Sequence, residues 1–161
     1  MSLPYAKIVQ IKQALIDVFT DAQCASGQLS TIQSVGGTNF NEAGAWPYLG
    51  VDIIQIKEPV FASNHRLRHV IEFGINVSVR STDRLIDARS ALDPILDDGA
   101  GNGVLNILRQ QYYLLLGGLL EKVDFGRMYF LNNVQADDKS APTAFFSDAV
   151  VIFYCTFSVA M

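Results

Sequence analysis

The segment NHRLRH, Asn64 to His69, sets two histidines four residues apart around Arg66 and Arg68. On a helix that spacing would bring both imidazoles to one side, where they could share a metal ion. The residues that follow, up to Arg80, alternate between apolar and polar types, so a strand is expected there and a third ligand is missing. The segment then reads either as a basic loop that meets an acidic partner surface or as a solvated charge cluster.

Other patterns lose their chemistry in the same way. GAGNG, Gly99 to Gly103, has the glycines of a phosphate loop, but it does not follow a strand and no Lys-Ser or Lys-Thr comes after it. A helix-to-helix loop is the expectation. DFG, Asp124 to Gly126, lacks the other parts of the kinase set, for which the chain is too short. There is no Gly-x-Ser-x-Gly elbow, and Cys24 and Cys155 stand far apart in no catalytic context. NVS, Asn76 to Ser78, has the form of a glycosylation sequon inside an expected strand. The pairs Asp97-Asp98 and Asp137-Asp138 fall in expected loops, with no apolar pocket to split their pKa values. No catalytic residue, metal or cofactor is expected.

The side chains must be positioned by a chain of 161 residues, half of them hydrophobic and only 17% charged. The low charge fits a large core, and fits equally a surface shared between copies of the chain. The net charge of −4 argues against binding nucleic acid by phosphate neutralisation. It does not exclude a protein that DNA slides past. The first residues, MSLPYAKIVQIKQALIDVF, carry lysines within their apolar pattern and are not expected to be a signal peptide. Two cysteines far apart suit a reducing compartment.

AVVIFYCTFSVAM, Ala149 to Met161, carries no charge. A helix needs about 20 apolar residues to cross a bilayer, and this segment is shorter and rich in β-branched and aromatic types. It is expected to be a strand with one wholly apolar face, its second face covered by helices or a neighbouring subunit, and not a membrane anchor. A helix is expected over residues 4–21, with Ile8, Ile11, Leu15 and Val18 as its stripe and Tyr5 and Phe19 at the sides. A mostly irregular stretch with a short strand within Leu29–Val35 follows, then a strand from Tyr48 stopped by Pro59 and a loop at VFASNHRL. Arg68 to Arg80 is the most regular strand, with Ile71, Phe73, Ile75, Val77 and Val79 inward. A helix with Leu85, Ala88, Leu92 and Ile95 inward should be capped by Ser81 or Thr82, favoured by Asp83, and kinked or restarted at Pro94 with Asp93 as a new cap. A further helix should bury Val104, Leu108, Tyr112 and Leu115 and end at Gly117-Gly118. Two strands, Leu119–Phe125 and Arg127–Asn133, a polar loop VQADDKSAPTAFF and the terminal strand complete the chain.

Strands at both ends of a helical middle imply one α+β domain over residues 1–161, with a mainly antiparallel sheet and helices packed on one face. An N-terminal helix, a proline-bearing strand region, HVIEFGINVSVRS running straight into TDRLIDARSALDPILD, and the closing AVVIFYCTFSV together resemble the tail-terminator (tail-completion) proteins of long-tailed bacteriophages and their relatives in the head–tail neck. The resemblance implies a non-enzymatic virion subunit, assembled in the host cytoplasm, that forms a homo-oligomeric ring, usually a hexamer, on the last ring of the tail tube protein. Such a ring stops tube growth, gives the head–tail connector protein its docking surface and lets DNA through without specific binding. Another connector or tube component, or a small α+β enzyme or ligand-binding domain, remains the alternative. For ring contacts the expected pairing sets His65, Arg66 and Arg68 of one subunit against Asp137 and Asp138 of the next, with Phe145 and Phe146 beside them.

Overall fold

The structure is a computed structural model that describes residues 4–23, 29, 31–37, 45–62, 65–81, 85–135 and 144–160. Helix α1 spans Pro4–Ala22. Its buried side chains are Ile8, Ile11, Leu15 and Phe19. Phe19 takes the place expected of Val18, which is half-buried, and Tyr5 is exposed. At 3.6 residues per turn the eleventh residue after Ile8 returns to the stripe, and the tenth falls about 80° short.

The strands are β1 (Ser34–Gly36), β2 (Tyr48–Ile56), β3 (Val60–Ala62), β4 (Arg66–Ser81), β5 (Lys122–Gln135) and β6 (Ala144–Ala160). They form one sheet in the order β1-β2-β4-β6-β5, and β3 pairs with the start of β4. Every pairing is antiparallel except that of β1 with β2. The segment expected to be a loop at Val60 therefore forms a hairpin, Val60 opposite Arg68 and Ala62 opposite Arg66. The charge-free terminal segment lies in the middle of the sheet, with β4 along one side and β5 along the other. Its backbone groups are paired by neighbours, which is how a strand without charges is covered.

Alternation then divides the sheet. Ile71, Phe73, Ile75 and Val77 of β4 and Ala149, Val151, Phe153, Cys155 and Phe157 of β6 join one core with α1, α2 and α3. Helix α2 spans Leu85–Leu96 and α3 spans Val104–Gly118. Among the described residues no helix roofs the second face of β6. Val150 and Ile152 are buried there outside that core, beneath side chains of the neighbouring strands. Ile54 covers Gly74: a Cβ at Gly74 would come 2.9 Å from Ile54 Cδ1 and 3.6 Å from Val150 Cγ1.

Three local expectations change. Helix α2 runs through Pro94 without restarting, and Asp93 is no new cap: its carboxylate pairs with Arg89 at 3.3 Å. Pro94 is in the last turn, where little helix remains to lose. The caps expected at the start of α2 involve Ser81, which ends β4, and Thr82 and Asp83, which lie outside the described residues. In α3 the buried positions are Val104, Ile107, Leu108, Gln111 and Leu116, while Tyr112 is exposed. Seven residues return a helix to its stripe, and eight overshoot by about 80°. The element ends at Gly117-Gly118 as expected, but its backbone leaves the right-handed helix earlier, because Leu115, Leu116 and Gly117 adopt left-handed backbone at φ 50°, 51° and 69°. Finally, the two strands expected after Leu119 are one, β5, with a bulge between Phe125 and Met128. Gly126 in that bulge has no room for a side chain: a Cβ would lie 2.7 Å from Ile152 Cγ2.

Candidate functional surface

The β3–β4 hairpin presents the basic residues. His65 is exposed at its turn with φ 58°, and Arg66 is exposed opposite Ala62 on one side and Ala160 on the other. Arg68 reaches Glu121 at 3.5 Å within the same chain. His69 faces the other way: it is buried and stacks on Phe157 with ring centroids 5.2 Å apart. The two histidines thus belong to a surface and a core, and among the described residues no cluster of three metal-ligating side chains occurs.

Beside Arg68 the second face of the sheet holds a depression of about 870 Å³, lined among others by Lys57, Glu121, Lys122, Asp124 and Tyr154. Its charges are taken up locally. Arg68 meets Glu121, Lys122 meets Asp124 at 3.1 Å, and the Lys57 ammonium lies 4.8 Å from the centre of the Tyr154 ring. Paired charges leave no strong field of one sign to attract an ionic ligand.

Phe145 and Phe146 belong to β6, not to the loop expected there. They are half-buried opposite Ser81 and Arg80. Phe146 packs on Trp46 at 5.8 Å, and the Arg80 guanidinium lies over the same indole at 5.5 Å. Asp137 and Asp138 lie outside the described residues. Register places the basic hairpin and the Phe145–Phe146 pair at opposite ends of β4, roughly 50 Å apart at about 3.4 Å per residue. They cannot meet within one subunit.

GAGNG joins α2 to α3 as a loop folded on its own carboxylates. Asp98 Oδ1 accepts from the backbone N–H groups of Ala100 and Asn102 at 2.8 and 3.0 Å, and Asp98 Oδ2 from the Asn102 amide at 2.9 Å. The Asn102 amide and these N–H groups hold the Asp98 carboxyl below its ordinary pKa. The donors a phosphate would need are already satisfied by a negative charge. DFG is part of β5, its glycine in the bulge. Cys155 is buried in the core, and burial pushes its thiol pKa well up, the reverse of a reactive thiolate. Asn76 and Ser78 of the sequon sit mid-strand in β4, with Ser78 fully buried.

Sequence reasoning missed the exposed apolar groups on the two flanks of the sheet. On the β2–β3 flank, Ile54, Ile56, Val60 and Phe61 are exposed, Phe61 by 76%. On the β5 flank, Met128, Tyr129, Phe130 and Leu131 are exposed in succession. The signal was present in MYFL: four apolar residues in a row cannot all face one core from a strand. Among the described residues no helix is long and apolar enough to cross a membrane.

These features define an α+β protein with apolar flanks, three helices and one sheet among its described residues. No protein-family model matches the chain, and no curated protein matches it significantly.

Proposed function

We propose that the chain is a structural subunit of a phage virion. It forms a ring, a hexamer in the reading the sequence pattern favours, at the head-proximal end of the tail tube. The ring ends tube growth, offers the head–tail connector its docking surface, and passes DNA without binding it specifically. The observation that carries this reading is the surface: apolar side chains exposed on two opposite flanks of one sheet, as a subunit needs if it meets a copy of itself on each side. The order of elements supports it too. The 16-residue strand β4 leads into α2, and the 17-residue strand β6 closes the sheet. A net charge of −4 suits a channel that DNA must cross.

Such a protein acts by shape, one ring face accepting the tube end and the other refusing a further tube subunit. Electron microscopy of a phage lacking this gene tests the proposal. Tubes of uncontrolled length and unjoined heads are expected, and the purified protein should halt growth of unterminated tubes without nucleotide or metal. Normal-length tails joined to heads would move the assignment to another connector or tube component. Turnover of a small molecule by the purified protein would end the structural reading altogether.

A further inference from the structure

We infer that copies of this chain join edge to edge, strand β5 of one pairing with the β2–β3 flank of the next, so that the sheet continues from subunit to subunit. In closing to a ring the inference rests on the reading above; the head-to-tail contact itself does not.

Among the described residues both edges are open: strand β5 pairs with β6 alone, and β1 covers only Tyr48–Gly50, which leaves one side of Asp52–Ile56 unpaired, with Ile54–Ile56 exposed. An open, apolar edge is a template for another strand. The two edges also run in opposite directions, because β2, β4, β6 and β5 alternate throughout. A rotation about an axis along the strands keeps those directions, so β5 arrives antiparallel to the neighbour's β2, the more stable pairing.

The side chains match on both faces. Met128 and Phe130 stand opposite Val151 and Ala149, on the helix face, while Tyr129 and Leu131 stand opposite Val150 and Asp148, on the other. Across the sheet, Ile56 and Phe61 stand on the helix face opposite Ile71 and Leu67, while Ile54 and Val60 stand on the other. Charge agrees as well. Arg127 on β5 and Glu58, just beyond Ile56 on the other flank, have no ion pair among the described residues. Through Val151 and Ile75, Met128 is level with Val51. Met128–Leu131 thus lie level with the buried residues Val51–Tyr48, and bringing them onto the exposed Ile54–Ile56 takes a stagger of neighbouring subunits, as sheet closure requires. The occupant of each edge is thus the opposite edge of a second copy.

Two variants test it: Ile56→Lys with Phe61→Lys on one flank, and Tyr129→Lys with Leu131→Lys on the other. All four positions are exposed, and near-ultraviolet circular dichroism checks that each variant is folded; the single variants Phe61→Lys and Leu131→Lys replace any that is not. Sedimentation velocity should show an oligomer for the wild type and a monomer for each variant. An equimolar mixture should form dimers of one copy each, because one good edge of each kind remains. An oligomer that survives either variant, a mixture that stays monomeric, or a wild type that is monomeric throughout overturns the inference. So does loss of the oligomer in Arg66→Glu/Arg68→Glu while the flank variants keep it. A head-to-tail oligomer that fails to stop tube growth would leave this contact standing and remove the tail-terminator reading. A ring that stops tubes but ignores the flank variants would do the reverse.

Discussion

Gln111 Oε1 accepts a hydrogen bond from the backbone N–H of Leu116 at 3.0 Å, and both residues are buried. The bond spans the point where α3 turns left-handed. Leu115 and Leu116 hold φ near +50°, a region that disfavours side chains with a Cβ by roughly 1–2 kcal/mol per residue. The glutamine side chain replaces the helical acceptor that the N–H of Leu116 loses in this turn. Gln111→Leu keeps the volume and removes the acceptor, leaving a buried N–H unsatisfied. A loss of about 1–3 kcal/mol is expected in urea unfolding, with hydrogen exchange at Leu116 accelerated.

Gly126 should not tolerate alanine. Its new Cβ would lie 2.7 Å from Ile152 Cγ2 and 2.9 Å from Tyr154 Cε2, and Ile152 is buried and branched, with little freedom to move. Gly126→Ala should cost about 1–3 kcal/mol, the usual range for overpacking. In an Ile152→Ala background the same change should cost less, and a double-mutant cycle measures the difference.

Phe153 is fully buried in the central strand and meets Phe125 edge-on with centroids 5.5 Å apart. Phe153→Asp places a carboxylate without a partner in an apolar core and should abolish cooperative unfolding by circular dichroism. A folded variant that melts near the wild-type temperature would contradict the packing of β6.

Burial raises the Cys155 thiol pKa above its ordinary value of 9.0, so the folded state keeps a proton that the unfolded state releases. The stability this gives is complete below that ordinary value and is lost as pH rises beyond it. Thermal unfolding should fall in temperature above about pH 9, less so in Cys155→Ala, after allowance for the lysines and tyrosines common to both. With Cys24 replaced by serine, a thiol reagent should modify Cys155 only as fast as the protein opens.

The sequence by itself determined the elements whose burial is one-sided. Ile71 to Val79 alternate so regularly that both strand and inward face follow from period two, and the charge-free Ala149–Phe157 excluded the surface. Helix α1 was equally legible, apart from the exchange of Val18 for Phe19, a matter of angle around the cylinder. The tertiary structure decided what depends on neighbours distant in sequence. VFA reads as a loop until β4 lies beside it. Leu119 to Asn133 reads as two strands until Ile152 and β6 show that Gly126 is a bulge within one. The interface residues chosen from charge, His65, Arg66 and Arg68, are carried by a hairpin, while Phe145 and Phe146 are at the far end of the same strand pair. Of the exposed flanks only the run Met128 to Leu131 left a signal, since four apolar residues in a row cannot share one core; Ile54 and Phe61 have the composition of core residues and left none. Whether an apolar side chain in a strand is buried depends on whether another strand lies beyond it, and strand order is fixed by contacts between segments far apart in the chain.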